Sequence, residues 1–590
     1  MNITRTFDLL DQYRANPVKD DALCFKHNNT WIKFSSLDYI DFAHCFCYGL
    51  HEMGYRKGDR IVTITNNRPE WNFVDMGMAM IGVIHVPVFT SLNAAEIEHV
   101  INHSGAKMVI ISDCKLHSCV KPIIEGSITP AEFFTFDEVK GTNNWIEIVN
   151  KGKAASEQTK KEVESIKNQI NGDTFATLIY TSGTTGKPKG VMLSQRNLVS
   201  NFLSAASIFN LKPSDKFLSI LPLCHVGGRL GNYQTQYCRA SIYYAENMGT
   251  IAANMQEIKP DGFDAVPRIL EKFYGVIISK GKKLKGIKKS LFFWAVSLGS
   301  RYKPFGENGW LYEKKLKIAD KLIFSKWRAA LGNNARIVGC GGASLPPLLE
   351  RVFWAAGIKI INMYGLTETS PIITINRTSK GDLKLGSVGK TIEGVEVKIA
   401  DDGEILCKGP NLMIGYYNDP ELTQAAIDND GWFHTGDIGY VDDEGFLMVT
   451  DRKKEIFKLS NGKFIAPQLI ENVFKQSPLI DQIMVMGEHE KFASALISPN
   501  FKYFEELRLA NKISYSDIEP IIEVPGVLSF FSSEIETLNK SLSPHERILR
   551  FKLVPDEWTT TSGELSPTLK LKRQVITEKY RGLIDQVYRK

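Results

Sequence analysis

Residues 177–190 read "TLIYTSGTTGKPKG": an apolar, strand-like run, then a loop of Ser, Thr and Gly that ends in two lysines. Gly183 and Gly186 let backbone amides turn inward, Thr181, Ser182, Thr184 and Thr185 supply hydroxyls, and Lys187 and Lys189 supply charge. Those groups suit phosphate, although a plain Ser/Gly turn has the same composition. A Walker loop ends in G-K-[ST] and runs straight into a helix whose first amides face the phosphate. Here Pro188 follows Gly186-Lys187, the leading glycine is misplaced, and "GVMLS" makes a second strand-like run. A helix is expected only after Ser194, a suitable cap for "QRNLVSNFLSAAS". The loop therefore joins two strands and is not a Walker loop.

Outward from it, residues 60–400 alternate β-rich apolar runs with helix-like segments, as in "RIVTITNN", "KMVIIS" and "ARIVGCGGASLPPLLERVFWAAGIKIINMYG". That alternation indicates parallel sheets flanked by helices. Near residue 390 the pattern shortens. "VEVKIADDGEILCKGP" and "GYVDDEGFLMVTDR" read as hairpins turning at Asp402-Gly403 and Glu444-Gly445. From Asp451 the chain is lysine-rich and reads as a smaller α+β unit. The expected class is α/β. A large N-terminal domain of parallel sheets, with a small β-barrel-like part, spans 1–450; a smaller, mobile C-terminal domain spans 451–590.

At 590 residues the chain is too long for one compact core. A net charge of +6 is small for this size, and no nucleic-acid module surrounds the basic segments, so no nucleic-acid partner is expected. The nine cysteines include no C-x-x-C pair, which argues against zinc or a disulfide framework and fits a reducing, cytoplasmic setting. The N-terminus lacks the apolar core of a signal peptide. The most apolar stretch, residues 73–89, carries Asp75 and His85 and is too short and polar to span a bilayer. A soluble protein, peripheral to a membrane at most, is expected.

Four further stretches hold candidate chemistry. In "INMYGLTETSP", 361–371, a strand ends in a polar loop, and Glu368 among hydroxyls suits Mg²⁺, which takes oxygen ligands beside phosphates. "GCGGASLPP", 339–347, lies between a strand and a helix whose first turn holds Pro346 and Pro347. Ser344 stands where a dinucleotide fingerprint needs its third glycine. "GWFHTGDIGY", 431–440, puts Asp437 in a turn, where the carboxylate either serves the turn or accepts both hydroxyls of a ribose. "GELSPTLKLKRQVI", 563–576, carries Lys570 in a basic helix entry.

Taken in chain order, over residues 170–575, these motifs resemble those of the adenylate-forming (AMP-binding) enzymes, which include acyl-CoA synthetases, luciferases and peptide-synthetase adenylation domains. The resemblance implies ATP and CoA as co-substrates and Mg²⁺ as cofactor. It makes Thr181 to Lys187 the phosphate loop, Glu368 with Thr181 the metal site, and Thr367 a contact to the α-phosphate. Tyr364 stacks on adenine and Gly365 belongs to the nucleotide site, with Gly342 and Ala343 on the adenine side and Gly341 on the acyl side. Asp437 and Arg452 hold ribose, Lys458 lies near the nucleotide, Lys454 is the hinge between domains, and Lys570 is the catalytic lysine. The loop 459–462, with Gly462, reaches the site in the thioester-forming state.

"VPRILEKFY", 266–274, and "KLSNGKFIAPQLIEN" are similar to the long-chain fatty acyl-CoA synthetase branch. That implies activation of a long-chain fatty acid to acyl-adenylate and pyrophosphate, then transfer to CoA. Loading of a carrier protein, or lipid and nucleotide binding without catalysis, are the alternatives. "LPLCHVGGRL", 221–230, keeps the branch's His225 and Arg229, but Gly227 and Gly228 stand where it has Phe and Glu. The pair is expected to remove bulk and charge beside the acyl tunnel. Residues 280–289 hold six lysines ahead of an apolar, aromatic run. They form either a solvated face or a peripheral contact with anionic lipid. A homo-oligomer is left open.

Overall fold

The computed structural model describes residues 2–127, 131–181, 188–509, 522, 524–566 and 568–589. Among these, the apolar runs form two large sheets with parallel centres. In a nine-stranded sheet, Ile337–Cys340 pairs in parallel with Gly262–Ala265 on one side and Lys359–Gly365 on the other. In an eight-stranded sheet, Phe175–Thr181 lies parallel to Ile84–Val88 and antiparallel to Lys189–Ser194. These strands are apolar along their length, because helices cover both faces; Leu178, Val338, Ile360 and Ile361 have no exposed surface. Ser194 caps the helix Gln195–Phe209 in a reciprocal pair with Asn197.

The Ser/Thr/Gly loop thus leaves the carboxyl end of one strand and returns antiparallel beside it. That edge is where open α/β sheets bind ligands. Residues 182–187, the centre of the loop, lie outside the described residues.

Both expected hairpins form. Glu396–Ile399 pairs with Glu404–Lys408, and Phe433–Val441 with Leu447–Arg452, within one four-stranded antiparallel sheet. Two local readings change. Asp437 lies within the strand Phe433–Val441, not in a turn: Gly436 absorbs a left-handed φ of 72° inside the strand, and pairing shifts register at Ile438/Gly439. Pro346 is the cap residue of the helix Pro347–Ala355, so only Pro347 occupies its first turn.

A second apolar core starts at Phe457. Ile480–Met486 and Ser494–Pro499 pair antiparallel, and Arg550–Leu553 adds in parallel. The helix Pro467–Phe474 contributes Ile470 and Phe474 to this core, and the helix Pro525–Asn539 contributes Val527 and Phe531. Among the described residues no helix is long and apolar enough to cross a membrane.

Candidate active site

Thr181, Ala265, Gly341 and Gly365, at or just past the carboxyl ends of four strands, line one cleft of about 2260 Å³ that residues of the second core also border. The chain leaves Lys359–Gly365 at Gly365, where a Cβ would lie 1.7 Å from the Pro371 carbonyl oxygen. It then turns through the short 3₁₀ segment Thr367–Thr369, which sets Glu368, 6% exposed, in the cleft wall. Tyr416 donates a hydrogen bond to Glu368 Oε1 at 2.8 Å, and Lys189 Nζ lies 3.2 Å from the same oxygen. Lys189 also donates to the Tyr416 hydroxyl at 2.6 Å and packs 4.1 Å from that ring's centroid.

Thr181 faces Lys189 in the strand register, and its Oγ1 is buried without a partner among the described residues. A carboxylate and an unpaired hydroxyl suit Mg²⁺ when phosphates complete its shell. Among the described residues no group of three His, Cys, Asp or Glu could cage a metal. The residues therefore fit a cation shared with phosphate.

A second group forms where the strand partners Asp437 and Arg452 face each other. Asp437, 4% exposed, accepts from the Tyr364 hydroxyl at 2.8 Å and pairs with Arg452 Nε at 3.2 Å. Burial raises its carboxyl above the ordinary range, with Arg452 opposing.

Lys570 comes from the other domain. Its N–H donates to Ser566 Oγ at 3.0 Å and its carbonyl accepts from the Ser566 N–H at 2.8 Å, with Leu569 between at a left-handed φ of 62°. The side chain is open to the water of the cleft yet enclosed by its walls. That enclosure, with the Arg452 guanidinium nearby, lowers its pKa to about 8. His225 caps the helix Val226–Tyr237 by accepting from the Gly227 N–H at 3.1 Å. Burial and the Lys570 charge lower the His225 pKa to about 4, so its imidazole is neutral.

Arg229, one turn on, points away into a buried network. It bonds Asp75, Thr177 Oγ1 at 2.6 Å and the Tyr233 hydroxyl at 2.8 Å. His85 bonds Asp75 and Thr63, each at 2.7 Å. Burial would raise the Asp75 carboxyl, but Arg229 and His85 outweigh it and hold the group below its usual range.

The cleft is lined by Thr181, His225, Gly227, Gly341, Gly342, Ala343, Tyr364, Gly365, Thr367, Glu368, Asp437, Arg452, Lys454 and Lys570. Three of the residues named from the sequence do not line it in this arrangement. Gly228 faces backbone, where a Cβ would sit 2.2 Å from the Pro222 carbonyl oxygen, so it serves close packing and does not widen a tunnel. Lys458 and Gly462 belong to the hairpin of Phe457–Lys458 and Phe464–Ile465 and do not line the cleft; Lys458 Nζ packs 5.4 Å from the Phe464 centroid. Ser182, Gly183, Thr184, Thr185, Gly186 and Lys187 lie outside the described residues. Tyr416 escaped the sequence reading: it sits on the two-residue strand Gly415–Tyr416, too short for a periodic signal, and reaches Glu368 only through pairing with Val191 and Met192.

Residues 11–417 match the family model described as AMP-binding enzyme, and residues 454–590 that of the AMP-binding enzyme C-terminal domain. The long-chain-fatty-acid–CoA ligase FadD15 of Mycobacterium bovis is 31% identical over 572 residues, 95% of this chain and 93% of that protein. The long-chain-fatty-acid–CoA ligase 5 of Rattus norvegicus is 30% identical over 613 residues, 98% of this chain and 87% of that one. The crystal structure of the anthranilate CoA ligase AuaEII in complex with anthranoyl-AMP has the same fold, with a TM-score of 0.74 at 18% identity over 99% of both chains. With both domains matched in order, the chain belongs to the AMP-binding enzymes.

Proposed function

We propose that this protein is an ATP-dependent long-chain fatty acid–CoA ligase. The observation that carries this is a single cleft in which Lys570 of the small domain joins Glu368 and Asp437 of the large one. The names and near-complete coverage of the relatives support the same activity.

A free carboxylate is a poor acyl donor, since its leaving group would be oxide. Attack of the fatty carboxylate on the α-phosphorus of ATP gives an acyl-adenylate and releases pyrophosphate. Attack of the CoA thiol on the acyl carbon then releases AMP. In the first step negative charge gathers on the phosphoryl oxygens, and Lys570 and Thr367 are assigned to meet it. Mg²⁺, held by Glu368 and Thr181 with phosphate oxygens, would supply further electrostatic stabilisation. Asp437 and Arg452 take the ribose, while Tyr364, Gly365, Gly342 and Ala343 flank the base. No enzyme nucleophile is needed.

The large domain ends at 450 in this reading, and Lys454, in the exposed turn that follows, is the hinge. For the second step the small domain rotates, Lys570 withdraws, and the hairpin with Lys458 and Gly462 enters the cleft. Such gating keeps water from the acyl-adenylate.

The test is purified protein with ATP, Mg²⁺ and fatty acids of graded length, with and without CoA, following pyrophosphate exchange, AMP and thioester. Acid-dependent exchange and CoA-dependent thioester are expected. Exchange without thioester would point to a carrier-protein loader, and ATP binding without exchange to a non-catalytic protein.

A peripheral contact with anionic lipid through 280–289 belongs to the same proposal. These lysines span the end of the helix Pro267–Lys282 and the start of Gly286–Gly299. Exposed Val276 and Ile287 accompany them, and Trp310, Leu311 and Ile318 are exposed on the next helix, Trp310–Ala319. Basic charge with exposed apolar surface suits a bilayer interface. Vesicle cosedimentation should weaken with salt and in Lys288→Glu/Lys289→Glu; binding indifferent to both would remove this contact.

A further inference from the structure

The apolar wall of the cleft, built by Phe209, Leu221, Val226, Leu230 and Met363, is interrupted by two polar side chains, Asp264 and Gln234. Both lie deep. Asp264 pairs in register with Gly339, two residues before Gly341 at the strand's cleft end, which is about 7 Å further into the sheet. Gln234 lies seven residues beyond Gly227 on the helix Val226–Tyr237, about 10 Å along its axis.

Neither has a protein partner among the described residues for the groups that matter here. Gln234 is 1% exposed, and its Nε2 has no acceptor among the described residues. Among the described residues nothing donates to, or pairs with, the Asp264 carboxylate, and burial pushes its pKa up to about 7. The space is also shaped around this carboxylate. A Cβ at Gly231 would lie 2.0 Å from one of its oxygens, and a Cβ at Gly339 would lie 2.2 Å from the other. Gly231 is one helical turn from Gln234, so the carboxylate and the amide face the same volume.

A buried, unpaired amide and a half-buried carboxylate enclosed by the cleft wall are costly when a plain hydrocarbon chain lies between them and displaces water from the carboxylate. An ammonium group would satisfy Asp264 but offers no acceptor for the Gln234 amide. A hydroxyl group does both: it donates to the carboxylate and accepts from Nε2. We propose that the acyl pocket selects fatty acids bearing a hydroxyl on the chain, held between Asp264 and Gln234.

The proposal rests on the ligase reading and deepens it. The experiment compares kcat/KM for AMP formation with a parent fatty acid and its monohydroxy derivatives, the hydroxyl moved stepwise along the chain. Wild type, Asp264→Ala and Gln234→Leu are run in parallel. One hydroxyl position should exceed the parent by about 10-fold or more, because a site built to bond a hydroxyl rejects the analogue lacking it. Each variant should erase that preference while keeping turnover of the parent acid. The variants lie on different elements, so misfolding of one leaves the other as the test. Parent acids used as well as every hydroxy acid, or a preference that survives the variants, overturns the proposal and leaves the ligase standing. No AMP from any acid overturns both.

Discussion

Lys570 faces the cleft as an ammonium whose pKa is lowered to about 8. Its charge is therefore present below that pH and lost as pH rises through it. The free enzyme's kcat/KM for adenylation should show an alkaline limb near pH 8, and Lys570→Arg, whose guanidinium stays charged, should move the limb upward. Lys570→Ala should slow adenylation by about 10²-fold, the scale of losing one transition-state donor. Thioester formation from supplied acyl-adenylate should be largely spared; equal loss in both half-reactions would contradict the division of labour. The role proposed for this lysine was suggested only by the order of motifs around it, because a Lys in a basic segment has no local signature. Its pKa is lowered first by enclosure in the cleft and then by Arg452, and both come from parts of the chain distant in sequence.

The helix Val226–Tyr237 works at both faces. Its cap, His225, sits in the cleft, while Arg229 anchors it to Asp75 and Thr177 in the core. Removing one partner of a buried pair strands the other's charge. Arg229→Met should cost about 3–5 kcal/mol, read as a lower urea midpoint for the large domain, and adding Asp75→Asn should recover much of the loss. No recovery in the double variant would mean that packing, not charge, is what Arg229 supplies. From the sequence, Asp75 and His85 argued only against a membrane span; their pairing with Arg229 needs the sheet and helix to meet. Local elements read better. Pro188 and the strand after it excluded a Walker loop, and Ser194 marked the next helix, because caps and turns act within a few residues. Asp437 was misplaced since Gly436, which usually marks a turn, here bends a strand.

Across the molecule, polar contacts hold the domains in the orientation that puts Lys570 in the cleft. Arg268 pairs with Asp481, Lys282 donates to the Tyr503 hydroxyl at 2.8 Å, Asn472 bonds Ser344 Oγ at 2.8 Å, and Lys572 lies 3.7 Å from Glu96. Interfaces of this kind suit domains that move. Arg268→Ala should weaken this orientation by about 1 kcal/mol, ~5-fold in the balance between the two arrangements. Single-turnover adenylation should fall accordingly while thioester formation holds or rises; parallel slowing of both would argue that Arg268 supports folding alone.

By itself the sequence determined the class of fold, the two strands that flank the Ser/Thr/Gly loop, the hairpins and the order of the family's motifs. Hydrophobic period, caps and Asp-Gly turns are each written within a dozen residues. Only the tertiary structure decided which of those residues meet. Tyr416 reaches Glu368 through a two-residue strand, Gly228 turns out to serve backbone packing, and Asp264 and Gln234 come to line one cleft. These juxtapositions depend on sheet order and on where one helix crosses the strands, and no local pattern encodes either.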